Sequence, residues 1–222
     1  MILFLSFNPK LIFMKKFLLL LFILFAIVTG NNAQTVNRKK MVKDVTTDLQ
    51  TWLKKIPGGN ESKYGFSNRE EFSIAMLGKP YQMFTLGGDF FKEQILPGKN
   101  YLESTGEWRI PVMVNGENRI MMTVVKKKNK WKIVELGARV LAGELQEFDR
   151  NLQLRSQDAP RILRVFQVQS DFLFLDDPSL SPGKITVYPM HSALLNISKL
   201  REGSLTKIGL DEMLPYIKES IR

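Results

Sequence analysis

The chain has 222 residues, of which 44% are hydrophobic and 24% charged; it carries a formal net charge of +10, one histidine and no cysteine. The lack of cysteine excludes disulfides, thiol nucleophiles and cysteine-ligated metal sites, and a single histidine excludes a multi-histidine zinc centre. The positive charge is interspersed with acids. It favours solubility and attraction to anionic surfaces without specifying a nucleic-acid partner.

The first segment with a clear pattern is residues 14 to 30, MKKFLLLLFILFAIVTG. Two lysines precede an apolar run from Phe17 to Val28, and a polar stretch follows, which is the layout of a secretory signal peptide. The run is shorter than the roughly 20 apolar residues that a membrane-spanning helix needs. We therefore predict a signal peptide over residues 1 to 33, with Met14 as a possible true start and cleavage after Ala33.

Removal of this leader leaves 189 residues and takes away three lysines and no acid, which lowers the net charge to +7. Without cysteine the new N-terminus cannot be acylated. We expect a soluble bacterial protein that is exported to the periplasm or beyond, is not a lipoprotein and keeps no stable membrane anchor. Residues 34 to 222 are expected to form one α+β domain, or two sub-modules with a link near residues 155 to 160.

The first predicted element of the mature chain is a long amphipathic helix over residues 37 to 56. Its apolar residues recur at spacings of three and four; they are Val42, Val45, Leu49, Trp52, Leu53 and Ile56. Pro57 and the glycines after it end the helix. Ser67 and Glu70 have the spacing of a capping box, which predicts a helical turn or short strand up to Leu77.

A strand is predicted over residues 81 to 86, followed by a short helix over residues 90 to 96 that Pro97 and Gly98 terminate. The strongest local signal is Asn115-Gly116 between two alternating apolar runs, which is typical of a tight β-hairpin. A second turn at residues 126 to 130 leads into a third alternating run. We predict a three-stranded antiparallel meander over residues 107 to 136, with Pro111 indicating an edge strand or a bulge.

The remaining chain predicts a helix over residues 140 to 152 that packs on the meander. Further strands are predicted over residues 162 to 169, 172 to 175 and 185 to 190; the second of these is apolar on both faces and is expected to be buried on both. Residues 210 to 221 form a C-terminal helix, in which Pro215 is tolerable only within the first turn.

The predicted fold class is α+β: antiparallel meanders, a long N-terminal helix and further helices packed on one face. The hairpin sequence VVKKKNKWKIVELG resembles the strands of cystatin-like or nuclear-transport-factor-like proteins. This resemblance covers about thirty residues and implies a curved sheet; it transfers no functional residue.

The sequence offers no recognised catalytic or nucleotide-binding motif, and we predict no catalytic residue, metal site or cofactor. His191 is the only possible imidazole base and stands beside Ser192. A distant serine and Asp176 or Asp177 could complete a Ser-His-acid arrangement. The competing interpretation, which we prefer, is a histidine at the end of an edge strand.

Two acidic pairs are weaker candidates. Glu103 and Glu107 flank a glycine-containing link and match the two carboxylates that glycoside hydrolysis requires. Asp176 and Asp177 offer oxygens to Ca²⁺ but lack the spacing of a calcium loop, so a polar turn is the better interpretation.

The predicted binding residues are Lys126, Lys127, Lys128, Lys130, Phe90 and Phe91. The lysines form a cationic hairpin tip beside Trp131, suited to phosphate, anionic glycan or lipid headgroups. A solvated turn that discourages edge pairing is the alternative. The two phenylalanines follow a glycine pair and suit an exposed binding edge, although a short helix with one of them inside is the competing prediction.

Three functions remain open. The first is a non-catalytic exported binding module for a protein or an anionic envelope component. The second is a secreted hydrolase that uses carboxylates or His191, favoured if acids and His191 line one pocket. The third is a carrier of a small hydrophobic ligand, which requires a cavity of roughly 300 Å³ or more; Tyr81, Phe84, Phe90 and Phe91 are its predicted lining.

Overall fold

The computed structural model describes residues 37 to 92, 94 to 154, 159 to 202 and 206 to 221. The chain divides into two units, residues 1 to 40 and 41 to 222. The first is described only from Asn37, whose side-chain oxygen accepts a hydrogen bond of 2.9 Å from the Lys40 N–H and caps the first helix. The predicted leader and most of the predicted link at 155 to 160 lie outside the described residues.

The helices and strands follow one another along the whole described chain. The α-helices are α1 (Arg38–Leu53), α2 (Gly88–Lys92), α3 (Arg139–Asn151), α4 (His191–Asn196), α5 (Ser198–Glu202) and α6 (Leu210–Ser220). The strands are β1 (Met76–Leu77), β2 (Tyr81–Leu86), β3 (Leu102–Val114), β4 (Glu117–Lys127), β5 (Lys130–Gly137), β6 (Arg161–Val165), β7 (Ser170–Phe174), β8 (Thr186–Pro189) and β9 (Ile208–Gly209).

All the strands belong to one open sheet with the order β5-β4-β3-β2-β6-β7-β8-β9, and β1 pairs with β3. Neighbouring strands are antiparallel except β2 and β6, which are parallel and join the two antiparallel parts. The predicted α+β class with antiparallel meanders is confirmed. The cystatin-like or nuclear-transport-factor-like type of sheet stays a prediction.

The meander β3–β4–β5 is confirmed and begins earlier than predicted, at Leu102. Asn115 and Gly116 both have positive φ, 52° and 78°, as a two-residue hairpin requires. Helix α3 packs on β4, as predicted, and the Asn118 side chain donates to the Ala142 carbonyl at 3.1 Å.

Of the two alternatives that Pro111 indicated, an edge strand or a bulge, the edge strand is not found, because β3 lies inside the sheet. On one side of β3, the β2 pairing ends at Arg109 and the β1 pairing begins at Val112. Pro111 lies in the gap between them, where no ladder N–H is needed on that side. A register shift follows between Val112 and Met113, so a bulge is found beside the proline.

The N-terminal helix is confirmed over a slightly shorter range, and its buried face also includes Met41, which the predicted stripe omitted. The predicted capping box at Ser67 is wrong by one residue. Asn68 is the cap of the 3₁₀ helix Arg69–Ile74 and accepts from the Glu70 and Glu71 N–H groups. Glu71 accepts in return from the Ser67 N–H at 2.8 Å.

The second half of the sheet is buried on both faces. Phe172 and Phe174 point into a core shared with α4, α5 and α6, whereas Leu173 points into a second core against α3. This confirms the prediction from the FLFL run.

Pro215 is the sixth residue of α6 and therefore lies beyond the first turn. Its side chain is exposed, so the ring that replaces the N–H faces solvent.

The conformation of Gly65 provides a test of the fold. Gly65 has a φ of 85°, and a Cβ added there would lie 2.5 Å from the backbone oxygen of Arg119. We expect Gly65→Ala to lower the free energy of unfolding by more than the roughly 1 to 2 kcal/mol of left-handed strain alone. Urea denaturation of the purified protein measures this loss.

Gly59→Ala is the matched control. Gly59 has a similar φ of 81°, but an added Cβ would meet nothing within 4 Å. The free energy of unfolding of this variant is therefore expected to fall only by the cost of the left-handed strain. Equal losses at the two positions would contradict the packing of Gly65 against β4.

Candidate functional site

A polar pocket lies where the first half of α3 and one face of α4 approach the sheet. It has a volume of about 350 Å³. Eight of its lining side chains can be charged or can exchange hydrogen bonds: Arg109, Glu144, Arg164, Gln169, Asp171, His191, Ser192 and Asn196. All but Gln169, which directly precedes β7, come from strands β3, β6 and β7 and from helices α3 and α4.

The sheet places the charged side chains on one face. Arg164 and Asp171 are direct partners in the antiparallel pairing of β6 and β7. Arg109 is the β3 partner of Tyr81, whose side chain packs in the core against α3. Ile162 and Leu173 belong to the same core. Side chains two residues apart on a strand lie on the same face, so Arg164 and Asp171 lie on the face of Ile162 and Leu173.

Asp171 is the most enclosed polar residue of the pocket, with 6% of its surface exposed. Its Oδ2 accepts from the Arg164 Nη1 at 2.7 Å and from the Ser192 hydroxyl at 3.3 Å. The Asp171 N–H in turn donates to the Ser192 Oγ at 2.9 Å. Its Oδ1 is buried and has no hydrogen-bond partner among the described residues.

Arg109 completes a row of polar contacts across the meander. Its Nη1 donates to the Glu135 Oε2 at 3.3 Å, and the same oxygen accepts from the Thr123 hydroxyl at 2.9 Å. The Nε–H of Arg109 is buried and finds no acceptor in the described part of the chain. Arg109 and Asp171 both line the pocket, but these two atoms are shielded from solvent by the surrounding protein.

Glu144 and His191 join the two helices at the pocket. The His191 backbone N–H, at the start of α4, donates to the Glu144 Oε1 at 2.5 Å. The His191 side chain is exposed. This contact satisfies one of the free N–H groups of a helix start and fixes the position of α4 against α3.

Both carboxyl groups in the pocket bind protons more tightly than usual. Burial raises the pKa of Asp171, and the nearby Arg164, Ser192 and Arg109 oppose this effect without cancelling it. Burial also raises the pKa of Glu144, against the hydrogen bond from His191. The charged form of each acid is disfavoured because little water reaches it.

The arrangement is better suited to binding than to nucleophilic catalysis. Ser192 and Asp171 bond directly to each other, whereas a Ser-His-acid triad needs the imidazole between them. No hydrogen bond of the His191 imidazole to a described residue is found. Asp176 and Asp177 are not in the pocket lining.

The predicted cationic tip is on the surface. Lys126, Lys127, Lys128 and Lys130 are all exposed. The turn residues Lys128 and Asn129 have φ values of 48° and 62°, and Lys127 and Lys130 face each other across the hairpin. Trp131 is buried and packs edge-on against Trp108, so it is not part of the exposed tip.

The predicted aromatic residues do not form one site. Phe90 is buried in the core with Tyr101 and is not available to a surface ligand. Phe91 is half-buried and lines a surface pocket beside Pro215 and Lys218 of α6. Tyr81 and Phe84 belong to cores on opposite faces of the sheet, so the predicted cavity lined by all four aromatics is not found.

The other acidic candidates also separate from the pocket. Asp177 accepts from the N–H and hydroxyl of Ser179, and Asp176 accepts from the Thr186 N–H, which confirms the polar turn. Glu103 and Glu107 lie on β3 outside the pocket lining. Within the described ranges, no group of three or more histidine and acidic side chains could hold a metal ion.

A more apolar pocket of about 730 Å³ lies elsewhere, lined in part by Phe148, Leu152, Tyr188 and Leu194. It exceeds the volume that the hydrophobic-carrier hypothesis requires. Its lining also includes Arg201 and Thr206, which flank residues 203 to 205 outside the described structure. The carrier hypothesis stays a prediction.

Sequence reasoning named only His191 and Ser192 among the polar lining of the pocket. Asp171 had a usable signal, since it is an acid at the start of the apolar run FLFL, and Arg164 likewise interrupts an apolar strand. Arg109 and Glu144 alternate normally with apolar neighbours, so the sequence gives no signal that would single them out. The polar residues come together only because segments that are distant in sequence are neighbours in the fold.

No protein family, curated protein or solved structure matches the chain. Among the helices of the described residues, none is both long and apolar enough to cross a bilayer.

The raised pKa of Asp171 predicts a specific pH dependence. The folded state holds the Asp171 proton more tightly than the unfolded state does. The stabilisation is therefore complete below the unfolded value of about 4 and is lost as the pH rises through the folded value. We expect the stability of the wild type relative to Asp171→Asn to increase as the pH is lowered from 7 towards 4, measured by urea unfolding.

Asp177→Asn is a control of opposite sign. Hydrogen bonds from Ser179 lower the pKa of Asp177, so the wild type should lose stability relative to this variant on acidification. If the stability of the wild type relative to Asp171→Asn also falls as the pH is lowered, the Arg164 contact outweighs burial at Asp171.

Proposed function

We propose that this protein is an exported, non-catalytic binding module that holds a small polar ligand in the pocket between α3, α4 and the sheet. The observation that carries this proposal is the convergence of charged and hydrogen-bonding side chains, among them Arg109, Glu144 and Asp171, in one concave site. A pocket with a few convergent polar groups is the usual form of a small-molecule site.

The size of the pocket supports a small molecule as the ligand. A volume of about 350 Å³ falls at the lower end of the range for small-molecule sites. Several elements supply the polar groups, and the sheet holds Arg109, Arg164 and Asp171 in place. The ligand would meet a preformed surface, which reduces the entropy lost on binding.

Export is proposed from the leader pattern at residues 14 to 30. The absence of cysteine suits an extracytoplasmic protein whose stability comes from its core. The exposed lysines of the hairpin tip stay a separate prediction for anionic envelope components. Because β5 is an edge strand, these lysines also serve to discourage pairing with another sheet.

A hydrolase is the second candidate, because it requires acids and His191 in one pocket, and Glu144, Asp171 and His191 line the same pocket. A carboxyl with a raised pKa is suited to general acid catalysis. Against this, the Asp171 carboxylate is engaged by Arg164, and the Ser192 oxygen accepts the Asp171 N–H. We therefore place binding first.

A ligand panel tests binding against hydrolysis. The isotope-labelled protein is titrated with amino acids, dicarboxylates, sugars, inorganic phosphate and glycosides while amide NMR signals and product formation are followed. We expect at least one compound to shift the Asp171 and Ser192 amides saturably and to be recovered unchanged. Glu144→Gln should alter affinity only.

Two results would contradict this proposal. Turnover of a glycoside or ester that His191→Ala or Glu144→Gln abolishes would establish the hydrolase instead. If no compound of the panel shifts the amide signals of the pocket residues, the proposed small-ligand site is refuted.

A further inference from the structure

A second pocket lies between the end of α3, strand β8 and the helices α4 and α5. It has a volume of about 730 Å³ and shares no lining residue with the polar pocket. This volume falls within the range of small-molecule sites. The second pocket therefore has room for a ligand of its own, whatever the polar pocket binds.

One wall of this pocket is apolar; it consists of Phe148, Leu152, Tyr188 and Leu194. Phe148 and Tyr188 meet edge to face, with ring centroids 6.1 Å apart. All four side chains pack on the outside of the two cores and are only half-buried. An apolar chain laid against this wall would remove it from water, which favours binding in proportion to the area covered.

The charged side chains in the lining are both cations. Arg201 in the last turn of α5 and Lys207 immediately before β9 line the pocket, and both are exposed. Neither has an ion-pair partner among the described side chains, and no acid of the described chain lines this pocket. A concave site lined by charges of one sign attracts ligands of the opposite sign.

The pairing of β8 with β9 places one of these cations beside the apolar wall. Val187 is the partner of Ile208 in this antiparallel pair, so the same register sets Lys207 opposite Tyr188. Val187 and Ile208 belong to the core shared with α4, α5 and α6, whereas Tyr188 packs on the core against α3. Because side chains alternate along a strand, Lys207 lies on the face of Tyr188.

We propose that the second pocket binds a free anionic amphiphile with a single hydrocarbon chain, such as a medium-chain carboxylate. Its chain would cover the apolar wall, and its headgroup would pair with Arg201 and Lys207. A cationic amphiphile would meet two like charges. A small anion without a chain would leave the apolar wall in water.

Probes with the same eight-carbon chain separate the effect of charge from that of hydrophobicity. Octanoate, 1-octanol and octylamine carry an anionic, a neutral and a cationic headgroup at neutral pH, and acetate is an anion without the chain. Each is titrated into the isotope-labelled protein while the methyl signals of Leu152 and Leu194 are followed. We expect octanoate to shift these signals at the lowest concentration and 1-octanol to come next.

Hexanoate and decanoate test the contact of the chain with the apolar wall. Each additional methylene group that the wall removes from water should tighten binding by up to about fourfold. The affinity should therefore rise from hexanoate through octanoate to decanoate. Equal affinities across this series would overturn the proposal, because the headgroup alone would then account for binding.

Two variants connect the headgroup to the cations. Arg201→Gln and Lys207→Gln each remove one charge at an exposed position, so neither change disturbs the core. Exposed ion pairs are weak, and each variant should weaken octanoate by up to about fivefold while the affinity for 1-octanol stays the same. The double variant should bind octanoate less tightly than 1-octanol.

Lys199→Gln is the matched control. Lys199 lies in the same helix as Arg201 and is exposed, but it does not line the pocket. Its substitution changes the net charge by the same amount and should leave the affinity for octanoate unchanged. An equal loss in Lys199→Gln and Arg201→Gln would overturn the headgroup site, since the general positive charge would then explain the preference for anions.

Vesicles of phosphatidylglycerol distinguish a free amphiphile from a lipid surface. If the vesicles shift the Leu152 and Leu194 signals while octanoate and decanoate do not, the proposal is wrong and the ligand is a membrane. Tighter binding of octylamine or 1-octanol than of octanoate to the wild type, or no shift with any of these compounds, would also overturn it. The Asp171 and Ser192 amides report on the polar pocket and should not move, so these results leave the function proposed for that pocket unaffected.

Discussion

The parallel pairing of β2 and β6 is the contact on which the rest of the structure depends. Gln82, Met83 and Phe84 pair with Arg161, Ile162 and Leu163, and these three register pairs join the antiparallel strands β2 to β5 to the antiparallel strands β6 to β9. Arg109 lies on one side of this junction, and Arg164 and Asp171 lie on the other. The polar pocket exists only because the two sets of strands share one sheet.

Burial on both faces makes this junction rigid. Met83 and Ile162 pack into the core beneath α3, whereas Phe84 and Leu163 pack into the core beneath α6. Close packing of this kind resists small displacements. The pocket therefore has a rigid wall from the sheet and a rim contributed by two helices, of which α4 is held to α3 through the contact of the His191 N–H with Glu144.

The polar groups at this junction lower stability rather than add to it. An ion pair as buried as that of Asp171 gains little over apolar packing, and the unpaired Oδ1 of Asp171 and Nε of Arg109 carry an additional cost. The dense apolar cores on both sides of the sheet offset that cost.

Local patterns in the sequence predicted much of the fold. The strand at residues 81 to 86, the Asn115-Gly116 hairpin and the two-faced burial of β7 follow from alternation and turn chemistry that neighbouring residues fix. The β2–β6 pairing joins segments about eighty residues apart, and no local pattern encodes it. For the same reason, His191 was recognised as a candidate while its neighbours Glu144 and Asp171 were not.

The most direct test of this structure is a set of proton–proton NOEs between β2 and β6 in the isotope-labelled protein. We expect cross-strand contacts in the parallel register that aligns Met83 with Ile162 and Phe84 with Leu163, together with slow amide exchange in both strands. An antiparallel pattern, or no contact between these strands, would separate Arg109 from Asp171 and contradict the pocket and the function proposed for it.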